Sequence, residues 1–398
     1  PLDRVEGNIH RKKKHKRYLL ENLTFTHSIK QISLRSYLQG LKVSYLFQRN
    51  NKWEAMESLE LGELIPGLPE DLAMECVTRL PFTSHHKASA VCRRWNELLR
   101  SNAFYKHRKA AGVTRKLACL VQAAGVPCAT KTSPFGVVLF DPVTRFILRL
   151  DPVPKYQDGL PLFCQIASCD GKIVVMGGWN TTTYDSVTDV FIYDFVAGTW
   201  KEGTPMPEKR SFYAIGSGSN GKVYVSGGHD ENKNALSSAW VYDVAEDKWA
   251  KIAPMSKERD ECEGFVVARK DGREEFWVVS GYVTESQGSF AGDAEVYDAD
   301  TGAWRLEEGV WKAGRCPRGS VGMVGGAVVC WTDTVGEEGP KMGPNAVIVG
   351  DRLVATGSGP LGGCHGFYLI DLKGGKTERV EAEEMFSGFV QSSCCVEI

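Results

Sequence analysis

Two arginines stand 49 residues apart at the ends of matching segments, PMPEKR ending at Arg210 and PMSKER ending at Arg259. A third of the series is expected at Arg315 or Arg318 in KAGRCPR, with Arg315 taken as the member. Each arginine precedes an apolar run, so their guanidinium groups are expected to converge on one rim of whatever those runs build. A guanidinium offers forked donors that match carboxylates and backbone carbonyls, which suits holding a guest. The residues just after the glycine pairs are Trp179, Asn180, His229, Asp230 and Tyr282.

Catalytic chemistry finds less support. Residues 117–398 hold two histidines, His229 and His365, whereas a copper or iron centre needs several ligands brought together. No GxSxG, P-loop or GxGxxG in a strand-turn-helix setting occurs, and Gly-rich GSGSNGK (216–222) reads as a hairpin turn. The 12 cysteines contain no CxxC pair, so reduced thiols acting as small hydrophobes are expected. No catalytic residue, metal ligand or cofactor is assigned.

The residues must be positioned by a folded body, and composition sets its class. Apolar residues are 42% and charged residues 24% of the 398, ordinary values for a globular chain in water. No apolar run approaches the roughly 18 residues that a membrane helix needs, and no secretory signal pattern is visible. A cytoplasmic and nuclear location without membrane contact is expected. The net charge of −1 divides into +8 over residues 1–55 and −9 over the remainder. So acidic a body disfavours a nucleic-acid grip, which depends on neutralising phosphates.

Residues 1–55 read differently from the rest. They carry the basic run RKKKHKR (11–17), a pattern that serves in nuclear signals and nucleic-acid patches, but no clear caps or sustained periodicity. The first methionine is Met56. The protein is expected to start there, with 1–55 as upstream sequence or a disordered leader; truncation of a longer protein is the alternative.

Helical signals begin at Leu68. Pro69 suits a helix start, Glu70 and Asp71 favour the first-turn dipole, and Leu72, Cys76 and Leu80 recur at four-residue steps before Pro81. A second helix is expected from Ser84, with Ala88, Val91, Cys92, Trp95 and Leu98 or Leu99 as its apolar stripe. A third follows Ser101. Three helices in so short a span make a marginal core, so the module is expected to bury its leftover apolar face on a partner. LIPGLPEDLAMECVTRLP followed by VCRRWNELLRSNAF resembles an F-box, apart from FTSHHKASA (82–90), where many members place more leucines. The resemblance implies docking on a Skp-type adaptor, formed or supported by Leu68, Pro69, Leu72, Leu80, Pro81, Val91, Cys92 and Trp95.

Beyond residue 116 the chain repeats itself. GKIVVMGGW (171–179) is echoed by GKVYVSGGH (221–229) and EEFWVVSGY (274–282). Tyr193-Asp194, Tyr242-Asp243 and Tyr297-Asp298 follow, and then Trp200, Trp249 and Trp304, spaced by 49 and 55. A near-50 period with four short strands per unit is the signature of a kelch propeller. The apolar runs are strands buried on both faces, the glycines allow close backbone approach, and each aspartate organises a turn. Phe140-Asp141, GGAVVCW (325–331) and Ile370-Asp371 mark degenerate copies. Six blades are expected, or five if 325–345 is irregular. The final strand in FSGFVQSSCCVEI is expected to complete the first blade, hiding an open edge.

The expected organisation is thus a leader (1–55), a small all-α F-box module (56–112) and an all-β kelch propeller (113–398). The combination resembles the plant F-box/kelch-repeat proteins. That resemblance implies a non-catalytic substrate receptor of a Skp–cullin–RING ubiquitin ligase, whose propeller holds a protein target. The arginines and the residues after the glycine pairs resemble the rim of peptide-binding kelch propellers, which implies Trp179, Asn180, Arg210, His229, Asp230, Arg259, Tyr282 and Arg315 as the target-binding rim. SGFVQSSCCVEI and WKAGRCPRGS further resemble a subgroup associated with turnover of phenylalanine ammonia-lyase and cytokinin response regulators. The alternative is a kelch scaffold or cytoskeletal binder that never meets a cullin. The short stretch Thr114–Leu117 between module and propeller favours a rigid arm.

Overall fold

A computed structural model describes residues 63–125, 134–269, 271–334, 339–359 and 363–398. The leader and Met56 lie outside the described residues. Helix α1 spans Glu70–Thr78, α2 Phe82–Ser89, α3 Arg93–Leu99 and α4 Asn102–Ala110. The single second helix expected from Ser84 is therefore two. The chain breaks because Cys92 is extended (φ −159°, ψ 168°) and its Sγ accepts from the Trp95 amide, capping α3. Ser101 caps α4 by accepting from the Phe104 amide at 3.1 Å, which satisfies one of the free donors of a helix start. The module closes on Leu64, Ala73, Val77, Ala88, Leu98, Leu99 and Phe104.

Among the described residues the strands form five four-stranded blades and one hairpin. Blade 2 uses Gln165–Cys169, Lys172–Met176, Val190–Asp194 and Thr199–Gly203. Blade 3 uses Ala214–Ser217, Lys222–Ser226, Ala239–Asp243 and Lys248–Ile252. Blade 4 uses Glu263–Ala268, Glu274–Val279, Ala294–Asp298 and Ala303–Glu307. Blade 5 uses Met342–Val349, Arg352–Ser358, Gly366–Asp371 and Thr377–Val380. Between blades 4 and 5 stands the hairpin Val321–Val324 with Ala327–Cys330. After this hairpin Trp331–Thr334 forms a short helix before blade 5. Trp331, 2% exposed, turns back against Leu353, Ala355, Tyr368 and Ile370. Of the two blade counts open in the sequence, five full blades is the one observed.

Blade 1 is assembled from both ends of the propeller. Lys116–Ala123, Phe135–Phe140 and Ile147–Arg149 pair in order, and Val390–Glu397 adds antiparallel to the first of them as the innermost strand. The innermost strands enclose a channel of about 950 Å³, lined by Gln165, Ser168, Ser217, Glu263, Asn345 and Ser392 among others.

The repeated residues act alike in successive blades. Asp194, Asp243 and Asp298 each accept two backbone N–H groups from the turn that follows. The indoles of Trp200, Trp249 and Trp304 donate to Asp151, Thr204 and Ala253 carbonyls on the segments leading into their blades. At Gly228 (φ 77°) a Cβ would lie 2.3 Å from the Ser211 carbonyl, so glycine is required by both conformation and space.

The helices sit against blades 1 and 2. The Tyr105 hydroxyl donates to the Glu397 carbonyl at 3.0 Å, and Thr114 Oγ1 donates to the Glu397 carboxylate. Arg115 and Ile398 exchange both backbone bonds, at 2.7 and 2.8 Å. Phe82 of α2 meets Phe195 edge-on with ring centres 6.0 Å apart. Arg108, 5% exposed on α4, donates to His85 Nε2 (2.9 Å) and to the Val113 carbonyl (3.2 Å). The same Nε2 lies 3.2 Å from the Leu80 carbonyl, so the ring nitrogen faces both a guanidinium, which can only donate, and a carbonyl, which can only accept.

That joint makes a pH prediction. Burial, then the Arg108 charge, lowers the His85 pKa from 6.5 to about 4. Between those values the unfolded chain binds a proton that the folded chain does not, so stability falls as pH drops through the window. Thermal melts from pH 7.5 to 4.5 should show this decline, and His85→Gln should flatten it. A slope unchanged by the substitution would assign the decline to other groups.

Candidate functional site

On the helical module, the residues expected to face an adaptor divide into two groups. Leu68, Leu80 and Trp95 are half-buried and pack onto the helical core, and the Trp95 indole donates to the Leu64 carbonyl at 2.7 Å. Pro69, Pro81 and Cys92 are exposed, as are Leu72 at 44% and Val91 at 58%. In α1 it is Ala73 and Val77 that face inward, leaving Leu72 and Cys76, one turn apart, in water. Covering a Leu or Val side chain is worth roughly 1.5–3 kcal/mol, so the module presents apolar area that its own fold does not use.

The rim arginines are placed otherwise than expected, and this is a correction. Arg210 and Arg259 are each 1% exposed. The Arg210 guanidinium donates to the Gly227 and Ser238 carbonyls, the Ser238 hydroxyl and the Glu208 carboxylate. Burial pulls its pKa down, and Glu208 pulls it back up. Arg259 donates to the Ser280 carbonyl at 2.8 Å and pairs with Glu295 (3.3 Å) and Asp293 (2.7 Å). Both bind the loop after the glycine pair to the blade, so neither has its fork free for a guest. Arg315 breaks the register too. Counting four residues back from the inner strand gives Arg210 and Arg259, but Pro317 at the hairpin; Arg315 instead pairs with Asp333 at 2.6 Å.

Other predicted rim residues lie on the same loops with mixed duties. The Asn180 carbonyl oxygen and the Asp230 carboxylate accept backbone N–H groups of their own turns. Both side chains therefore shape loops rather than reach outward. Tyr282 is buried, its hydroxyl donating to Glu261 at 3.1 Å; burial, then Asp260 and Glu261, raise its pKa.

Trp179 and His229 are brought together, and with them two residues that sequence reasoning missed. Phe163 and Phe212 complete a cluster whose ring centres lie 4.6 to 6.2 Å apart. His229 Nδ1 donates to the buried Asp260 carboxylate at 2.9 Å, leaving Nε2 as the acceptor. Against this cluster lies the ammonium of Lys233, 3.8 Å from the Trp179 ring centre and 3.2 Å from His229 Nε2. Phe163, Phe212 and Glu261 each stand two residues before an inner strand with φ of 60°, 54° and 49°. A left-handed L residue costs about 1–2 kcal/mol, and the hairpin has Gly319 (φ 65°) at that place. The signal was present in the sequence, since 163, 212 and 261 share the 49-residue step of the arginines.

The fold is thus a four-helix module with open apolar side chains, seated on a β-propeller with a looped rim. A Kelch motif model matches residues 162–207 and 217–256, and an F-box domain model matches 65–107. In Arabidopsis thaliana, F-box/kelch-repeat protein At2g44130 is 36% identical over 353 residues, 79% of this chain and 85% of that protein. F-box/kelch-repeat protein At1g15670 is 35% identical over 367 residues, covering 84% of this chain and 100% of the other. F-box/kelch-repeat protein SKIP20 is 39% identical over 285 residues, 63% of this chain and 68% of that one. This chain belongs to the plant F-box/kelch-repeat proteins. An F-box implies a Skp-type adaptor as one partner, and a kelch domain a protein target as the other.

Proposed function

We propose that this protein is the substrate-recognition subunit of a Skp–cullin–F-box ubiquitin ligase. The helical module docks the adaptor, the propeller rim holds a target, and a ubiquitin-conjugating enzyme recruited through the cullin supplies the chemistry. The observation carrying this reading is the pairing of open Leu72 and Val91 with the joint at Tyr105, Thr114 and Glu397. A fixed joint sets the distance and direction from adaptor to target, which transfer between two bound proteins requires. The subgroup resemblance makes phenylalanine ammonia-lyase and cytokinin response regulators the first targets to examine, in the cytoplasm and nucleus.

Co-precipitation tests the two ends separately. Protein started at Met56 should capture a Skp adaptor and, with it, a cullin. Co-expression with proteasome blockade should then enrich phenylalanine ammonia-lyase or a response regulator. Failure to capture any adaptor would favour a kelch scaffold without a cullin. Adaptor capture with neither target enriched would retain the ligase role and discard those targets.

A further inference from the structure

The sequence led to an arginine rim offering donors to carboxylates or carbonyls of a guest, yet Arg210 and Arg259 are buried and Arg315 is paired with Asp333. What the rim presents instead is aromatic and acidic. We propose that Phe163, Trp179, Phe212 and His229 form a cation box that receives a lysine or arginine side chain of the target protein, and that Lys233 occupies it in the unbound state. This rests on reading the propeller as the target-holding domain and specifies the chemistry of that site.

Three features support the assignment. Aromatic faces attract a cation through their quadrupoles, and an ammonium already sits 3.8 Å from the Trp179 ring centre. Beneath it, the Asp260 carboxylate bonded to His229 adds negative potential without itself reaching the surface. Lys233 belongs to an exposed loop residue, so a change of rotamer vacates the box without disturbing the fold.

The surroundings favour a basic segment over an acidic one. Glu258 and Glu285 are exposed on neighbouring loops, and Glu261 is half-exposed. The nearby lysines are already paired, Lys209 with Glu231 and Lys257 with Asp293, both at 3.0 Å. Arg318 leans over Phe212 with its guanidinium carbon 5.3 Å from the ring centre, and donates to the Cys262 carbonyl at 3.1 Å. It therefore walls the cluster instead of projecting towards a guest. A duplex or single-stranded nucleic acid would meet these carboxylates with its phosphates and be repelled.

The test uses the full chain bound to its Skp adaptor and fluorescence anisotropy of labelled peptides alternating glycine with lysine or glycine with glutamate. The lysine peptide should bind and the glutamate peptide should not. Lys233→Ala should tighten the lysine peptide by about 5- to 10-fold, because an internal competitor lowers apparent affinity by the fraction of box it fills. Phe212→Gly, which removes a ring at a backbone angle glycine accepts readily, should weaken it by a similar factor, with a melt of the same variant separating lost binding from lost folding. Preference for the glutamate peptide, no binding of the lysine peptide, or unchanged affinity in Lys233→Ala would each overturn the box. Those results leave the ligase reading standing so long as the adaptor is captured; loss of adaptor capture strikes that reading instead.

Discussion

Arg259→Ala is expected to unfold or severely destabilise the propeller, by about 3–5 kcal/mol, because it strands buried Glu295 without its cation and leaves half-buried Asp293 with Lys257 alone. Glu295 is 1% exposed, so water cannot replace the guanidinium. The Ser280 carbonyl loses its donor as well, and Ser280 is itself held at φ 61°. Thermal melts and soluble yield would register the change. Arg259→Lys should recover only part of the loss, since one ammonium cannot bridge Ser280, Asp293 and Glu295 with the same fork geometry. Arg210→Ala should behave similarly through Glu208 and the Gly227 and Ser238 carbonyls. A variant melting within about 1 kcal/mol of the parent would mean the ring relaxes around the gap, contrary to the close packing seen.

Leu72→Glu and Val91→Glu should act in the opposite way. Both side chains are exposed, so neither substitution should move the melting temperature appreciably. Each should nevertheless cut adaptor affinity by about 30- to 100-fold, corresponding to the 2 kcal/mol or more typical of a central interface residue. Surface plasmon resonance against a purified adaptor would measure it. Leu68 is a poorer probe, because it packs partly onto the helical core and its truncation mixes folding with binding. An affinity unchanged by both substitutions would move the docking face elsewhere on the helices.

The propeller was readable because each repeated residue performs a local task. Tyr193-Asp194 and its counterparts make a turn with neighbours two and three residues on, and Trp200 reaches a fixed neighbour one blade back. Such roles are written into spacing. The irregular region 325–345 was also visible as irregular, although its collapse to a hairpin depends on Trp331 finding a place against blade 5. Arg210 and Arg259 illustrate the opposite case. Their position in the repeat was plain, but whether they face a guest or the interior depends on Ser238, Ser280, Asp293 and Glu295, which lie 21 to 36 residues further along. The helical module shows the same limit. Periodicity located α1, while the choice of Ala73 and Val77 over Leu72 and Cys76 as the inward side came from packing. The break before α3 rested on one extended cysteine that no pattern announced.

The strand Val390–Glu397 has a consequence in time as well as in space. It is made after every other strand of the ring, yet it occupies the innermost place in the first blade. During synthesis the first blade therefore waits, with Lys116–Ala123 exposing an unpaired edge, until these late residues emerge. The same strand carries the Glu397 carbonyl and carboxylate on which Tyr105 and Thr114 settle. The helices can fold early and Phe82 can already meet Phe195, but the bonds to Glu397 and Ile398 form only when the last strand arrives. A chain halted before Val390 would still display an adaptor-binding module while lacking that part of its seat.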